Sequence, residues 1–377
     1  IYYNTFLLRC YNFILPHQTY MSAFDVIEYN AKKVLFIVHR EEILQDARRA
    51  FARLVKNKGM KMGVYTGSRK DTEVDFLFAT IQSMSRHLHS FSKDEFEYLI
   101  IDEAHHSSSP SYKKVLDYFT PKFLLGMTAT PERSDGESIY EIFEHSVALE
   151  VRLHEALQMN LVIPFHHFGI TDIDGIDLSD VPLSDLQEIS KRLKANKRVD
   201  FIIEKMDFYG HDGGKRKALG FCANIDHAQY MTKAFNDRGI ESICLTGIDS
   251  IEDREAAIER IEDEDDDLQV IFTVDIFNEG VDIPSINLVL MLRPTNSPII
   301  FIQQLGRGLR KHDDKTFLTV LDFIGNHQKV FLIAIALNGQ RYYDKDSLRV
   351  AVATGFGDIP GCSQIQMDRI SQDRILE

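Results

Sequence analysis

What most constrains this chain is a recurring unit: a short apolar run with no polar alternation, followed by a stretch of helical pattern. Val34–Val38 (VLFIV), Asp75–Ala79 (DFLFA), Tyr98–Ile101 (YLII) and Phe123–Met127 (FLLGM) are runs of this kind. Strands without polar alternation belong to sheets covered on both faces. Helical patterns such as Glu41–Lys58 and Ser111–Phe119 lie between them. A second series, unlike the first in sequence, comprises Ala218–Cys222, Glu241–Leu245, Val270–Val274, Ile286–Leu292 and Phe317–Leu321. Its helices are predicted over Ile225–Arg238, Ser250–Ile261 and Ile299–Arg310. Strand alternating with helix predicts α/β architecture with parallel sheets, here two in tandem. Residues 151–214 read as a segment joining the two, and the residues after Leu337 as the start of something new. No internal repeat is visible.

Composition narrows the class. With 377 residues, 44% of them hydrophobic and 27% charged, the chain suits two globular cores and excludes disordered, collagenous and disulfide-scaffold classes. The four cysteines (Cys10, Cys222, Cys244, Cys362) show no C-x-x-C spacing, which favours a reducing, cytoplasmic compartment over a disulfide framework or a zinc site. No apolar run approaches the length of a membrane span, and no signal peptide is evident. The net charge of -14 argues at first against nucleic acid. It is concentrated, however: residues 251–267 hold ten acidic and two basic side chains, more than half of the excess. That run reads as a solvated turn before the strand Val270–Val274.

The sharpest chemical signal is Leu99-Ile100-Ile101-Asp102-Glu103-Ala104-His105, a strand that ends in two adjacent carboxylates. In parallel α/β sheets ligands bind at the carboxyl ends of strands. One carboxylate there can hold Mg²⁺ on nucleotide phosphates, and a second can deprotonate an attacking water. The motif has company. Thr128-Ala129-Thr130 follows the strand Phe123–Met127, and Ile276–Pro284 (IFNEGVDIP) follows a strand of the second series. Gln303-Gln304-Leu305-Gly306-Arg307-Gly308-Leu309-Arg310 comes next, and helical spacing would put Arg307 and Arg310 on one helix face, able to act as arginine fingers.

In this order and spacing the motifs resemble the superfamily-two helicases of the DEAD/DEAH-box class. The resemblance runs from about Thr19 to Leu337, and is closest to bacterial helicases related to the helicase subunit of type III restriction enzymes. It implies two RecA-like domains in tandem that use ATP and Mg²⁺ on a nucleic acid, DNA rather than RNA, without a membrane and with further domains or subunits outside this chain. By position, Asp102 resembles the Mg²⁺ ligand, with Thr19 as its hydroxyl partner, and Glu103 the base for hydrolysis. His105, Thr128 and Thr130 resemble the elements that couple nucleotide state to grip on the strand. Gly280 and Asp282, with Gln303, Arg307 and Arg310, resemble the second domain's nucleotide contacts. His39, Arg40, Thr66, Gly67, Thr80, Gln82 and Thr273 resemble the nucleic-acid contacts, and hydroxyls, amides and loop N–H groups can serve that role without a strongly basic surface. The domains implied are 19–150, then a connecting segment over 151–214, then 215–337, then the opening of a C-terminal domain over 338–377.

One departure matters. The family's phosphate loop, G-x-x-x-x-G-K-[ST], should precede Thr19. Instead the residues are Phe13-Ile14-Leu15-Pro16-His17-Gln18; no glycine occurs before Gly59 and no lysine before Lys32. Residues 1–18 also lack family resemblance. The expectation is an N-terminally truncated chain whose first domain is incomplete, missing its first strand and its loop, and whose ATP-driven activity is impaired. A second reading stands beside it: an ATP-independent nucleic-acid-binding remnant or a non-functional fragment. A nuclease reading finds no paired metal-site motif in these residues. The histidine pairs His105-His106 and His166-His167 are read as pointing apart, and Cys222 as a small apolar packing residue. Lys191, Arg192, Lys194, Lys197 and Arg198 are read as a solvated helix face, with a nucleic-acid patch as the alternative.

Overall fold

The computed structural model describes residues 4–10, 15–55, 59–128, 139–274, 283–294, 297–324, 337, 345–354, 360 and 363–367. The chain divides into two compact units, Ile1–Arg152 and Leu153–Glu377.

In unit 1 the elements run β1 (Asn4–Cys10), α1 (Leu15–Tyr29), β2 (Val34–Val38), α2 (Glu41–Leu54), β3 (Met62–Tyr65), β4 (Phe76–Thr80), α3 (Ile81–Arg86), β5 (Tyr98–Ile101), α4 (Pro110–Tyr118), β6 (Phe123–Thr128) and β7 (Val147–Val151). The sheet order is β3-β4-β2-β5-β6-β1-β7, with every pairing parallel. The strands read from apolar runs are buried throughout their central part, and two clusters flank the sheet. Leu35, Ile37, Leu99, Ile101 and Leu124 pack on one face. Val34, Phe36, Val38, Phe78 and Ile100 pack on the other. That is the two-sided coverage the uninterrupted runs demand.

The first strand, expected to be missing, is present. Asn4–Cys10 pairs parallel with β6 from Asn4↔Phe123 to Arg9↔Thr128, and with β7 on its other side. The run Thr5-Phe6-Leu7-Leu8 is strand-forming in its own right. Residues 1–18 lack family resemblance and a phosphate loop, yet a strand and the loop that follows it are separate requirements.

Unit 2 contains α5 (Leu153–Gln158), β8 (Phe165–Thr171), α6 (Leu186–Leu193), α7 (Asn196–Tyr209), β9 (Ala218–Phe221), α8 (Ile225–Asn236), β10 (Ser242–Leu245), α9 (Ile251–Glu262), β11 (Val270–Thr273), β12 (Leu288–Met291), α10 (Pro298–Gly306), β13 (Leu318–Ile324), α11 (Lys345–Ala353) and β14 (Gln364–Met367). Its order is β10-β11-β9-β12-β13-β8-β14, again all parallel. Strand β8 falls in the stretch read as a connector, and β14 in the stretch read as the opening of a third domain.

Counted along the chain, the two sheets have one connectivity: β1 corresponds to β8, β2 to β9, and so on to β7 and β14. This is a structural duplication without a sequence repeat. The acidic segment is less loose than a solvated turn. Lys215 Nζ reaches the Asp263 carbonyl at 2.5 Å, Lys217 Nζ pairs with Glu264, and Arg260 bonds both Asp266 and Glu241. Three cations thus tie down the concentrated negative charge at the entrance to β11.

Candidate functional site

At the carboxyl ends of β2, β5 and β6 the polar residues of unit 1 converge. The Asp102 N–H donates to the Ile37 carbonyl at 2.9 Å, so the β5–β2 ladder carries one residue past β5. Glu103 then turns left-handed, with φ +51° and ψ +52°, an uncommon conformation for a residue with a Cβ. The reversal opens a single 3₁₀ turn, Ala104–His106. Both carboxylates are buried, Asp102 at 5% exposure and Glu103 at 3%. Asp102 Oδ1 accepts the Glu103 N–H at 3.1 Å. Glu103 Oε2 lies 3.2 Å from His105 Nδ1 but is met by no aligned hydrogen-bond donor among the described residues. His105 Nδ1 is also 3.3 Å from Thr128 Oγ1, at the end of β6. A carboxylate, an imidazole and a hydroxyl from two strands are therefore in one contact group, as the motif reading requires of Glu103, His105 and Thr128. Thr130 lies outside the described residues.

Of the residues expected to touch nucleic acid, those of unit 1 lie at the carboxyl ends of β2, β3 and β4. His39 and Arg40 follow β2, and Gln82 Nε2 donates to the His39 carbonyl at 3.2 Å. Thr80 ends β4 and is the N-cap residue of α3. Thr66 is fully buried; its N–H bonds the Arg69 carbonyl at 2.6 Å and its hydroxyl accepts the Arg69 N–H at 3.3 Å, closing a turn. Gly67, on the outside of that turn, has nothing within 4 Å of where a Cβ would sit.

The histidine pair does not point apart here. The His105 and His106 rings lie 4.0 Å apart, and His106 is 5.2 Å from His39. Adjacent side chains diverge on a strand but not on a tight helical turn, where they are about 120° apart in projection. His166-His167 do diverge, because they are on β8. His167 is buried with Nε2 3.2 Å from Asp322 Oδ2, and His166 stacks on Phe317.

In unit 2, Gly280 and Asp282 lie outside the described residues. Thr273 ends β11 fully buried. Gln303 is buried on α10, but Arg307 and Arg310 do not share a helix face, because α10 stops at Gly306. Arg307, Gly308 and Leu309 N–H groups bond the carbonyls three residues back, at 3.3, 3.1 and 3.3 Å, so the arginines stand on tight turns. Glycines at 306 and 308 account for the early stop. At Gly308 a Cβ would fall 2.4 Å from Leu318, so the turn sits directly on β13. Arg307 is buried at 5% exposure and Arg310 is half-buried.

The basic segment is neither a patch nor a uniform solvated face. Lys191 and Arg192 pair with Glu188, Arg192 also with Asp180, and Lys194 with Asp226. Arg198 is 1% exposed, with Nε 2.8 Å from Asp172 Oδ2 and Nη2 3.2 Å from the Leu292 carbonyl. Cys222 is buried in the unit 2 core, and burial pushes its thiol pKa up, as a packing residue requires.

Two family models match in the same order as the two units. The type III restriction enzyme res subunit model covers residues 18–133, and the helicase conserved C-terminal domain model covers residues 197–312. The chain thus carries a segment similar to the res subunit of type III restriction enzymes, followed by one similar to the helicase conserved C-terminal domain. IRC3 of Saccharomyces cerevisiae, named for an ATP-dependent helicase, is 28% identical over 324 residues, 83% of this chain and 46% of the relative. An Escherichia coli type I restriction enzyme EcoAI endonuclease subunit is 24% identical across 80% of this chain and 42% of its own length. In fold, the chain resembles the ATP-dependent type ISP restriction-modification enzyme LlaBIII, solved bound to DNA, with a TM-score of 0.68 and 14% identity over 99% of this chain and 31% of that one. The chain spans about half the length of the IRC3 relative.

The helicase cofactors can be tested against these residues. The ion-and-water side fits: Asp102 and Glu103 are buried together at a strand end, and a buried carboxylate oxygen lacks an aligned protein donor. The phosphate side does not fit. Residues 11–18 hold neither glycine nor lysine, and α1 begins at Leu15, so Thr19 sits one turn, about 6 Å, inside the helix rather than at its N-terminus. Residues 11–14 are outside the described set. His106 and Gln304 are named in the sequence motifs without a site role, and Lys315 lies outside every motif. The Gln304 amide is 1% exposed and has no hydrogen-bond partner among the described residues. Its place inside the arginine motif was the signal available.

Proposed function

We propose that this chain is the helicase core of a nucleic-acid motor acting on DNA in the cytoplasm, with ATP turnover held low by its altered phosphate loop. The observation that carries the reading is the Glu103–His105–Thr128 group, which joins the carboxylate assigned to hydrolysis to the end of β6, two strands from β2, whose end bears His39 and Arg40. The DNA preference is supported by the restriction-enzyme relatives and by the DNA named with LlaBIII. No helix among the described residues is long and apolar enough to cross a membrane. In this reading Asp102 would hold Mg²⁺ without Thr19, which lies one turn inside α1; Glu103 would hold and deprotonate a water, and Arg307 and Arg310 would meet phosphate charge.

The test is DNA-stimulated ATP hydrolysis by the chain as it stands and by a version with G-x-x-x-x-G-K grafted onto residues 12–18. Low turnover in the first, at least about 100-fold more in the second, and loss of that gain in Glu103→Gln are expected. The missing glycines and lysine favour a second reading, ATP-independent binding to nucleic acid. Tight DNA binding with no hydrolysis in either version would select it. RNA competing better than DNA for binding would overturn the DNA assignment in both.

A further inference from the structure

The arginine turn of unit 2 is held from beneath by a residue outside the motif. Residues 312–315 form a reverse turn just past Arg310: the Lys315 N–H bonds the His312 carbonyl at 3.3 Å, and the two residues form an antiparallel bridge. The reversal sends the Lys315 side chain back under the segment the chain has just left. Lys315 is 4% exposed, and its Nζ donates to the Ile286 carbonyl at 2.5 Å and the Gly308 carbonyl at 2.8 Å. Ile286 leads into β12, and Gly308 lies between Arg307 and Arg310.

A buried ammonium is costly unless its donors are met, and a methionine would fill the same space without that cost. A lysine here makes physical sense where fixed carbonyls need a cationic donor. Two further contacts hold the turn. The Ile163 N–H bonds the Leu309 carbonyl at 3.0 Å, and Gly308, lacking a Cβ, lets the backbone lie against Leu318. The backbone is thus pinned at 308 by a charge, at 309 by a strand-side N–H, and from below by β13. The two arginines, Arg307 and Arg310, flank the pinned residues on either side.

We propose that Lys315 is a positioning residue for the Arg307–Arg310 turn: its ammonium fixes the carbonyl between the arginines and so sets the direction of their side chains. The brace stands on the structure alone; its effect on turnover rests on the motor reading above.

The first measurement is amide hydrogen exchange in Lys315→Met. The segment 306–311 is expected to exchange about tenfold faster or more, while β9, β12 and β13 keep their protection. Unchanged exchange at 306–311, or equal loosening of the whole unit, would overturn the brace. Should Lys315→Met fail to fold, the unmutated chain still decides: a slowly exchanging ammonium signal of Lys315, coupled to the Gly308 carbonyl carbon, is expected by NMR, and a freely exchanging ammonium would overturn it. The second measurement uses the loop-grafted chain. There Lys315→Met is expected to lower kcat about 10- to 100-fold with KM within about twofold, and to add less than about twofold once Arg307 is already alanine. Independent, multiplicative effects would show that Lys315 does not act through the arginine turn. If the grafted parent itself hydrolyses no ATP, the motor reading fails and the exchange experiment alone judges the brace.

Discussion

The two units share one strand connectivity but finish the carboxyl edges of their sheets in opposite ways. In unit 1, α2, α3 and α4 begin at Arg40, Thr80 and Ser109, and none of these side chains caps its helix. In unit 2, Asp185 caps α6, Asn224 caps α8, and Ser250 closes a full capping box on α9 with Asp253. Uncapped N-terminal N–H groups stay available to anions, whereas capped ones are spent on the fold. The charges at corresponding strand ends differ as well. β5 ends in Asp102 and Glu103, and β12, its counterpart, in Leu292-Arg293. Thus α2, α3 and α4 of unit 1 start without a side-chain cap, whereas α6, α8 and α9 of unit 2 start with one; α7, preceded by Ala195, does not. On the motor reading, unit 1 is built to bind and react, and unit 2 to hold its arginines still.

The largest effect that would break this comparison is at the buried Arg198–Asp172 pair, beside the end of β8. Arg198→Met leaves Asp172 buried without its partner and should cost about 3–5 kcal/mol in urea unfolding of unit 2. Replacing both, Arg198→Met with Asp172→Leu, should recover most of that loss. If the single change is harmless, the edge of unit 2 is not locked as described.

Next in size is the arginine turn. Gly308→Ala forces a Cβ to within 2.4 Å of Leu318 and should cost about 1–3 kcal/mol, with part regained on adding Leu318→Ala. Gly67→Ala, on the open turn of unit 1, meets nothing and should stay within about 0.5 kcal/mol. Equal costs at the two glycines would remove the contrast.

A pH effect separates the units further. His227 is fully buried; burial, then the charges of Arg198, Lys194 and Arg293, hold its pKa well below 6.5. As pH falls through about 6.5 the unfolded chain takes a proton that the native ring refuses. The contribution of His227 is therefore fully present above that pH and declines as pH falls, by at most about 1.4 kcal/mol per pH unit. His227→Gln should flatten that slope in denaturant titrations between pH 7 and 5; an unchanged slope would assign it to other groups.

What could be read in advance follows the physics of each segment. The strands buried on both faces, β2, β4, β5, β6, β9, β11, β12 and β13, announce themselves by uninterrupted apolar runs. Those missed lie at or near the sheet edges or carry polar residues for local reasons. β8 (FHHFGIT) hides behind two histidines, one satisfied by Asp322 and the other stacked on Phe317. β3 and β14 are four residues long, too short for a period to show. Among the candidate site residues, Asp102 and Glu103 were marked by two carboxylates at a strand end, and His105 and Thr128 only by the family resemblance; the structure brings Glu103, His105 and Thr128 into contact. The arginines were placed on a helix because a three-residue spacing suits one, yet the two glycines flanking Arg307 decide otherwise. Lys315 was invisible because its role arises from a reverse turn, which sequence spacing does not measure.

The smallest expected effect tests the capping contrast most directly. Ser250 Oγ accepts the Asp253 N–H at 3.1 Å and donates to Asp253 Oδ2 at 2.8 Å, so Ser250→Ala removes both hydroxyl bonds, keeps only the backbone half of the box (Ser250 N–H to Asp253 Oδ2), and should cost about 1 kcal/mol. Ser109 occupies the same position on α4 but makes no capping bond, and Pro110 at the next position has no N–H that needs an acceptor. Ser109→Ala should therefore change stability by no more than a few tenths of a kcal/mol. Paired unfolding curves of the two variants would decide it. A cost at Ser109 as large as that at Ser250 would mean that the helix N-termini of unit 1 are closed in solution, and that its open edge is not the property that distinguishes the binding unit from the holding one.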